Sequence, residues 1–327
     1  MRYTMKRRVL GAPDFLDISE EAFQQCQSAY TNLLNVLNIE VTFDLLLENY
    51  AEFERDCLGL SHRFLLFRQH GESLAPRREI NRRMANLLSS ARLYIEQVPE
   101  DLDTMYSSRK RLGQRPAKRW RYIDSKPAKD FINDCNRQRA SFAYCAMHAL
   151  RNYAQHWGTP VHDASYHLVR DNIASGSPYR MELRLFVHVD RLMLDPLFDQ
   201  GVLRKLRRDA NRYGCVELTP WVSEYMEKLC AVHESLRARL AADVATWDQT
   251  IIAACNQARA AFGDDLSGLA VVAEEQDDEG NYLDRQFAAV APEIIDWRRA
   301  LEAKNQGFES LSAGYVTGYV RRPSPPS

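Results

Sequence analysis

The sequence predicts a mainly α protein with a small inserted β-hairpin and a C-terminal extension. Three observations carry that expectation. Apolar residues recur at steps of three and four over most of the chain, which is the helical period. Residues 163–194 switch to alternation, the strand period. Residues 263–284 then hold eight carboxylates and no Lys or Arg, which ends the periodic pattern.

The elements follow in order. Residues 14–19 supply cap-like side chains. Phe23, Tyr30, Leu33, Leu34 and Leu37, then Phe43, Leu46, Leu47, Tyr50 and Phe53, mark a helical region. Gly59 and Ser61 are expected to interrupt it, and Gly71 and Pro76 to close it. A second helix over 77–98 carries Ile80, Met84, Leu87, Leu88, Ala91 and Ile95 on one face, and Pro99 is expected to stop it. A third helix is expected over 128–157, with one polar gap at Gln138, ended by Gly158 and Pro160. Met181 to Val189 alternates, and Tyr166, Leu168 and Val169 offer a partner strand across Ser175-Gly176-Ser177-Pro178. A short helix over 199–213 ends at Gly214. Thr219-Pro220 then opens a helix of about 43 residues, roughly 65 Å long, with a break allowed near 241–246. One more helix is expected over 292–303, before a disordered Pro/Ser tail at 323–327. The domain division is therefore a helical domain over 14–262, with the hairpin inserted at about 163–194, and an acidic extension over 263–327.

Composition excludes several function classes. The chain has 327 residues, 45% hydrophobic and 27% charged, as in soluble globular proteins. Its 43 Lys+Arg nearly balance 44 Asp+Glu, so binding to nucleic acid by bulk positive charge is excluded. No apolar run approaches the roughly 20 residues of a membrane span. The first ten residues lack the apolar core of a signal peptide. The seven Cys form no CxxC pair, so they read as buried hydrophobes in a reducing cytoplasm. There is no P-loop, dinucleotide fingerprint or GxSxG elbow. His156, His162 and His167 span a helix end, a loop and a strand, so neither a metal nor another cofactor is expected.

The neutral sum hides an uneven distribution. Residues 109–129 carry nine basic side chains and one acidic one. Within them Lys118, Arg119 and Arg121 interleave with Trp120 and Tyr122, a composition suited to binding single-stranded RNA. The acidic 263–284 stretch is expected to be a loop able to cover or mimic RNA.

The third helix ends Arg151-Asn152-Tyr153-Ala154-Gln155-His156. His148, Asn152 and His156 are spaced i, i+4, i+8 and share a face; Arg151 and Gln155 lie on its flank. Arg151 and His156 are about 140° apart on the helix, flanking Asn152. Arg presents a fork of donors matched to phosphate oxygens. His156, at a helix C-terminus where the dipole favours its cation, is suited to proton transfer. Asn152 would orient His156 or hydrogen-bond the phosphate. His148 and Gln155 are secondary substrate-binding candidates. Tyr153 and Trp157 are expected to pack in the core.

This stretch resembles the HEPN superfamily, whose signature is Arg, four to six residues, then His, with a polar residue after the Arg. Two other matches to the bare spacing, from Arg55 to His62 and from Arg63 to His70, lack either an uninterrupted helix or that polar residue. The resemblance extends through the helix order over 14–262. It implies a helical bundle, dimerisation that pairs two motifs, and metal-independent endoribonuclease activity by attack of the RNA 2′-OH. It also implies a setting in toxin–antitoxin or anti-phage defence, with an antitoxin or regulatory partner. Catalysis would rest on Arg151, Asn152 and His156. The alternative is a non-catalytic dimeric module that binds RNA, a nucleotide or a protein.

Overall fold

The computed structural model of the chain describes residues 1–9, 15–67, 74–107, 123–170, 179–276, 282–307, 311 and 318–321. It is mainly helical, with two small antiparallel sheets. Eight strands and eight α-helices follow one another along these residues: β1 Arg2–Arg7, β2 Phe15–Asp17, α1 Glu20–Phe67, α2 Leu74–Tyr106, α3 Lys126–Arg137, α4 Phe142–His156, β3 Asp163–Arg170, β4 Tyr179–His188, α5 Val189–Leu192, α6 Gln200–Asp209, β5 Cys215–Glu217, α7 Thr219–Phe262, β6 Leu269–Gln276, β7 Tyr282–Ala289, α8 Glu293–Lys304 and β8 Gly318–Arg321. Among the described residues, no helix is long and apolar enough to cross a membrane.

Two expected helix breaks do not occur. α1 runs for 48 residues through Gly59 and Ser61, so the Arg55–His62 match to the motif spacing, with Asp56 after its Arg, also lies on an uninterrupted helix. The Ser61 hydroxyl donates to the Cys57 carbonyl at 3.0 Å, so it is satisfied inside the helix. Phe53, Cys57 and Leu60 stay buried and carry the apolar stripe across the glycine. A helical Gly costs about 1 kcal/mol, less than burying one such side chain contributes. α2 likewise continues through Pro99 to Tyr106. Proline costs about 3 kcal/mol there, but Val98 and Leu102 on either side are fully buried. The continuation also carries Asp103 to the start of α3, where its Oδ1 accepts from the backbone N–H of Asp124 at 2.9 Å and of Ser125 at 2.8 Å.

Several other elements follow the periodic reading. Ser19 caps α1, its Oγ accepting from the Ala22 N–H at 3.1 Å. α7 is a single helix of 44 residues with no break near 241–246. The hairpin is β3 and β4, in register from Asp163 opposite Phe186 to Arg170 opposite Tyr179. Six of the seven cysteines are buried and the seventh, Cys145, is partly so, which makes them core filling.

The chain divides into two compact units, and α1, α2, α3 and α7 each contribute residues to both. The first comprises residues 1–41, 97–129 and 234–306. Its sheet has the order β2-β1-β6-β7. The acidic stretch is thus not a loop: β6 pairs with β1, from Arg2 opposite Glu274 to Arg7 opposite Leu269, and β7 pairs with β6. Leu269 to Ala273 are all buried, so this central strand reads as a continuous apolar run without alternation. Its carboxylates meet the cations of β1: Lys6 Nζ lies 2.7 Å from Glu274, and Arg7 lies 3.0 Å from Asp265. Residues 277–281 lie outside the described residues. In the same unit Arg237 grips Glu40 through two bonds of 2.9 and 2.6 Å. Arg298 pairs with the buried Asp248 at 2.7 Å.

The second unit comprises residues 42–96, 130–233 and 307–327. Its sheet has the order β3-β4-β5, and β8 also pairs with β4. The core centres on Phe43, Phe53, Leu87, Leu88, Tyr94 and Phe131. His233 of α7 stacks on Phe43 at 3.7 Å between ring centroids, and its Nδ1 lies 3.0 Å from the Tyr94 hydroxyl.

Asp103 is 1% exposed, and truncation would leave the buried Ser125 N–H and the part-buried Asp124 N–H without their acceptor. Asp103→Ala is expected to lower stability by about 2 kcal/mol or more, read as a lower urea midpoint with unchanged slope.

Candidate active site

The expected helix over 128–157 is two helices. α3 ends at Arg137, residues Gln138–Ala140 form a 3-10 turn, and α4 starts afresh at Phe142. Ser141 is the reason. Its Oγ accepts from the Tyr144 N–H at 3.2 Å, capping α4, and donates to Glu224 of α7 at 2.6 Å. The polar gap at Gln138 marked this break in the sequence. α4 then lays Phe142 and Tyr144 against Trp221 and Tyr225 of α7.

The C-terminal end of α4 is held from four sides. The N–H groups of Trp157 and Gly158 both donate to the Tyr153 carbonyl, at 2.9 and 3.0 Å. Gly158 passes so near Tyr153 that a Cβ there would stand 2.9 Å from the hydroxyl. Beyond it, Asn81 of α2 receives the Val161 N–H and donates to the Val161 carbonyl, both at 2.8 Å. The His162 N–H donates to the Phe186 carbonyl at 2.9 Å, and the His162 carbonyl accepts from Arg77 at 3.1 Å. Every backbone polar group of Val161 and His162 therefore has a partner.

His162 is a structural group. Its Nδ1 accepts from the His188 N–H at 2.9 Å, so the proton of the neutral ring sits on Nε2, which is 3.3 Å from the Tyr153 hydroxyl. Burial, then the charges of Arg191 and His188, push its pKa down to about 4.

The motif residues divide. Tyr153 is buried, as expected of the apolar stripe. Trp157, expected beside it, is instead 52% exposed, because the chain leaves the helix at that residue. Asn152, Gln155 and His156 are exposed. The imidazole of His156 has no hydrogen-bond partner among the described residues. Asn152 Oδ1 accepts from Arg151 Nη1 at 2.9 Å, so Asn152 orients the arginine and does not bond to His156. Arg151 is partly buried. Burial and the neighbouring charge of Arg92 lower its pKa, while Glu96 and Tyr225 oppose that.

His148 is a half-buried ring with its centroid 5.0 Å from Tyr144 and 6.4 Å from Tyr225. Burial, then Arg92, Arg139 and Arg151, push its pKa down to about 4. It is thus a neutral imidazole at ordinary pH. Lys118, Arg119 and Arg121 lie outside the described residues.

One basic surface escaped the sequence reading. α6 buries Val202, Leu203 and Leu206 and exposes Arg204, Lys205, Arg207 and Arg208. Lys205 Nζ stands 4.0 Å from the Phe142 ring, where α4 begins. Arg212, just beyond, lies over the Tyr213 ring, which is 68% exposed. The signal was Leu203-Arg204-Lys205-Leu206-Arg207-Arg208, with four cations on the solvent-facing positions between the buried leucines; Asp209, which follows, is exposed and pairs with Arg208 at 3.1 Å. Among the described residues, no three His, Cys, Asp or Glu side chains are grouped to hold a metal ion.

The chain matches no family model, no curated protein and no solved structure.

Two outcomes are expected. Asn81→Ala leaves both Val161 backbone groups unpaired and should cost about 2–4 kcal/mol in a urea unfolding curve. The neutral states of His148 and His162 stabilise the fold only above their unfolded pKa of 6.5, and that stability is lost as pH falls toward about 4. The melting temperature of the second unit should drop by roughly 5 °C or more across that window; a flat profile would contradict the assignment.

Proposed function

We propose that the chain is a metal-independent endoribonuclease of the HEPN type, acting as a homodimer. The observation that carries this reading is Arg151-Asn152-x-x-x-His156 at the end of a capped, firmly anchored helix, with Arg151 held by Asn152 and His156 in solvent. The basic face of α6, beside the start of the same helix, supports an RNA substrate. The exposed Tyr213, with a guanidinium on one face, suits stacking against an unpaired base.

The chemistry uses this chain's own groups. Arg151 would hold a non-bridging oxygen of the scissile phosphate and stabilise the charge that develops on it. The 2′-oxygen of RNA attacks phosphorus, the bond to the 5′-oxygen breaks, and the 2′ proton leaves. His156 would accept that proton or, as the imidazolium favoured at a helix C-terminus, donate one to the departing 5′-oxygen. The products are a 2′,3′-cyclic phosphate and a 5′-hydroxyl. Arg151 and His156 lie about 140° apart on α4, flanking Asn152, and the dimer would pair two copies of the motif at one composite site.

A second reading keeps the RNA and drops the chemistry. It is favoured by the commitment of Arg151 to Asn152 and to its half-buried packing, which suits a fixed binding group.

Incubation with total RNA in EDTA separates the two. Wild-type protein is expected to cleave and to leave 2′,3′-cyclic ends, and His156→Ala to lose at least about 100-fold in rate. Equal cleavage by both proteins, or none by either, would sink the nuclease reading. RNA retention without cleavage, weakened by Arg151→Ala, would establish the binding module.

A further inference from the structure

The sheet of the first unit, in the order β2-β1-β6-β7, has two unlike faces. Side chains alternate between the faces of a strand, so the register assigns each residue to one of them. Tyr3 and Met5 of β1 lie on the inner face. Tyr3 is 5.5 Å from Phe23 of α1, and Met5 lines a cavity with Ala22 of α1 and Ala254 of α7. The outer face carries Arg2, Lys6, Phe15, Asp17, Glu274 and Phe287. An ion pair paves its centre. Lys6 stands opposite Ala270 and Glu274 opposite Arg2, with Thr4 and Val272 between, so the 2.7 Å contact of Lys6 with Glu274 spans that middle position. Thr4 and Val272 are accordingly buried.

On either side of this centre a guanidinium lies on a phenyl ring. Arg2 Cζ is 4.3 Å from the centroid of Phe15, and Asp17 fixes the same guanidinium through bonds of 2.9 and 3.2 Å. Arg8, the residue after β1, has its Cζ 3.9 Å from the centroid of Phe287. Both rings remain open to solvent, Phe15 being 48% and Phe287 54% exposed. Asp17 and Glu274 offset Arg2 and Lys6. The exposed Arg8 side chain has no hydrogen-bond or ion-pair partner among the described residues, so it leaves the face with an unmet positive charge.

Such layers are flat, apolar and cationic at once. A nucleobase stacks on a phenyl ring or on a guanidinium plane, and a phosphate pairs with free guanidinium N–H groups. An apolar protein surface would desolvate the same cations without pairing them, which is unfavourable. The spacing also suits a polynucleotide. β2 and β7 are the outer strands, about 14 Å apart across three strand intervals, and Phe15 is offset from Phe287 by two register positions, about 7 Å. A few unpaired nucleotides bridge the resulting separation of about 16 Å.

We infer that this outer face binds single-stranded RNA, with one base on the Phe287–Arg8 layer, another on the Phe15–Arg2 layer, and a phosphate at Arg8. None of these residues belongs to the motif. The stacking and the charge stand without the nuclease reading; only the choice of RNA over DNA rests on it.

The test uses the full chain carrying His156→Ala, in EDTA, with a single-stranded RNA of about eight nucleotides containing 5-iodouridine. Photocrosslinking is expected to join it to the peptides that contain Phe15 and Phe287. Phe287→Leu keeps an apolar side chain and removes the ring, and should weaken binding about fivefold or more by fluorescence anisotropy. Phe287→Tyr should restore it. Arg8→Gln should flatten the log–log salt dependence by about 0.7. A duplex of the same sequence, whose bases are already stacked on each other, should bind with no dependence on Phe287. Should Phe287→Leu fail to fold, Phe15→Leu replaces it, with the same expected weakening. Crosslinks confined to other peptides, such as that of Tyr213, or equal affinity in wild type and Phe287→Leu, overturn the face. Equal affinity for a DNA strand overturns the choice of RNA and leaves a face for any single strand. A Phe287-dependent oligomeric state by light scattering, without crosslinks there, assigns the face to a second copy and overturns the RNA. None of these readouts requires cleavage, so loss of the nuclease reading and loss of this face are separate results.

Discussion

The second unit depends on one short segment, Val161-His162, which has no regular structure and yet no unpaired backbone group. Asn81 takes both polar groups of Val161, Phe186 and Arg77 take those of His162, and the imidazole of His162 joins the His188 N–H to Tyr153. These bonds tie α2, the end of α4 and the β3–β4 hairpin at a single point. A buried connection is stable only when its polar groups are satisfied, because each one left over costs about 1–3 kcal/mol. The direction of the motif helix, and so the place of Arg151 and His156, follows from that constraint. Gly158 is part of it, since any side chain there would collide with the Tyr153 hydroxyl.

Charge is distributed on the same principle of local accounting. The net value of -1 suggests a protein indifferent to polyanions. Within the first unit, however, the carboxylates of Glu274 and Asp265 are met by Lys6 and Arg7 of the adjacent strand. Within the second unit, Arg204, Lys205 and Arg207 of α6 stay exposed, and the charges of Arg92, Arg139 and Arg151 act on His148. Acidic groups are thus partly consumed by structure, while the cations of α6 remain exposed. Local field, and not the sum, decides whether RNA is attracted.

Helix length shows burial overruling propensity. Gly59 and Pro99 each carry a local cost of a few kcal/mol at most. Each is flanked by fully buried side chains, Cys57 and Leu60 at the glycine and Val98 and Leu102 at the proline. At Ser141 the balance tips the other way. No strong breaker stands there, but a hydroxyl that caps α4 and reaches Glu224 makes a new start more stable than continuation.

Period, caps and the motif were legible from residue order alone. The helical stripes of α1, α2 and α7, the Ser19 cap, the alternating β3–β4 pair and the Arg151–His156 spacing are all local patterns, set by side chains within a few turns of one another. The rest depended on groups distant in the chain. β6 escaped notice because a strand buried on both faces does not alternate, and its partner β1 lies more than two hundred residues away. Asp103 capping the start of α3, Asn81 holding Val161, and Ser141 reaching Glu224 join positions that no periodicity relates. His148 shared a helix face with Asn152 and His156 on paper, and tertiary packing set its ring against Tyr144 and Tyr225. Sequence therefore specifies which helices and strands can form, through short-range sterics and the period of burial. Tertiary structure alone decides which polar groups meet, because hydrogen bonds and charges act over a few ångströms of space, whatever their separation along the chain.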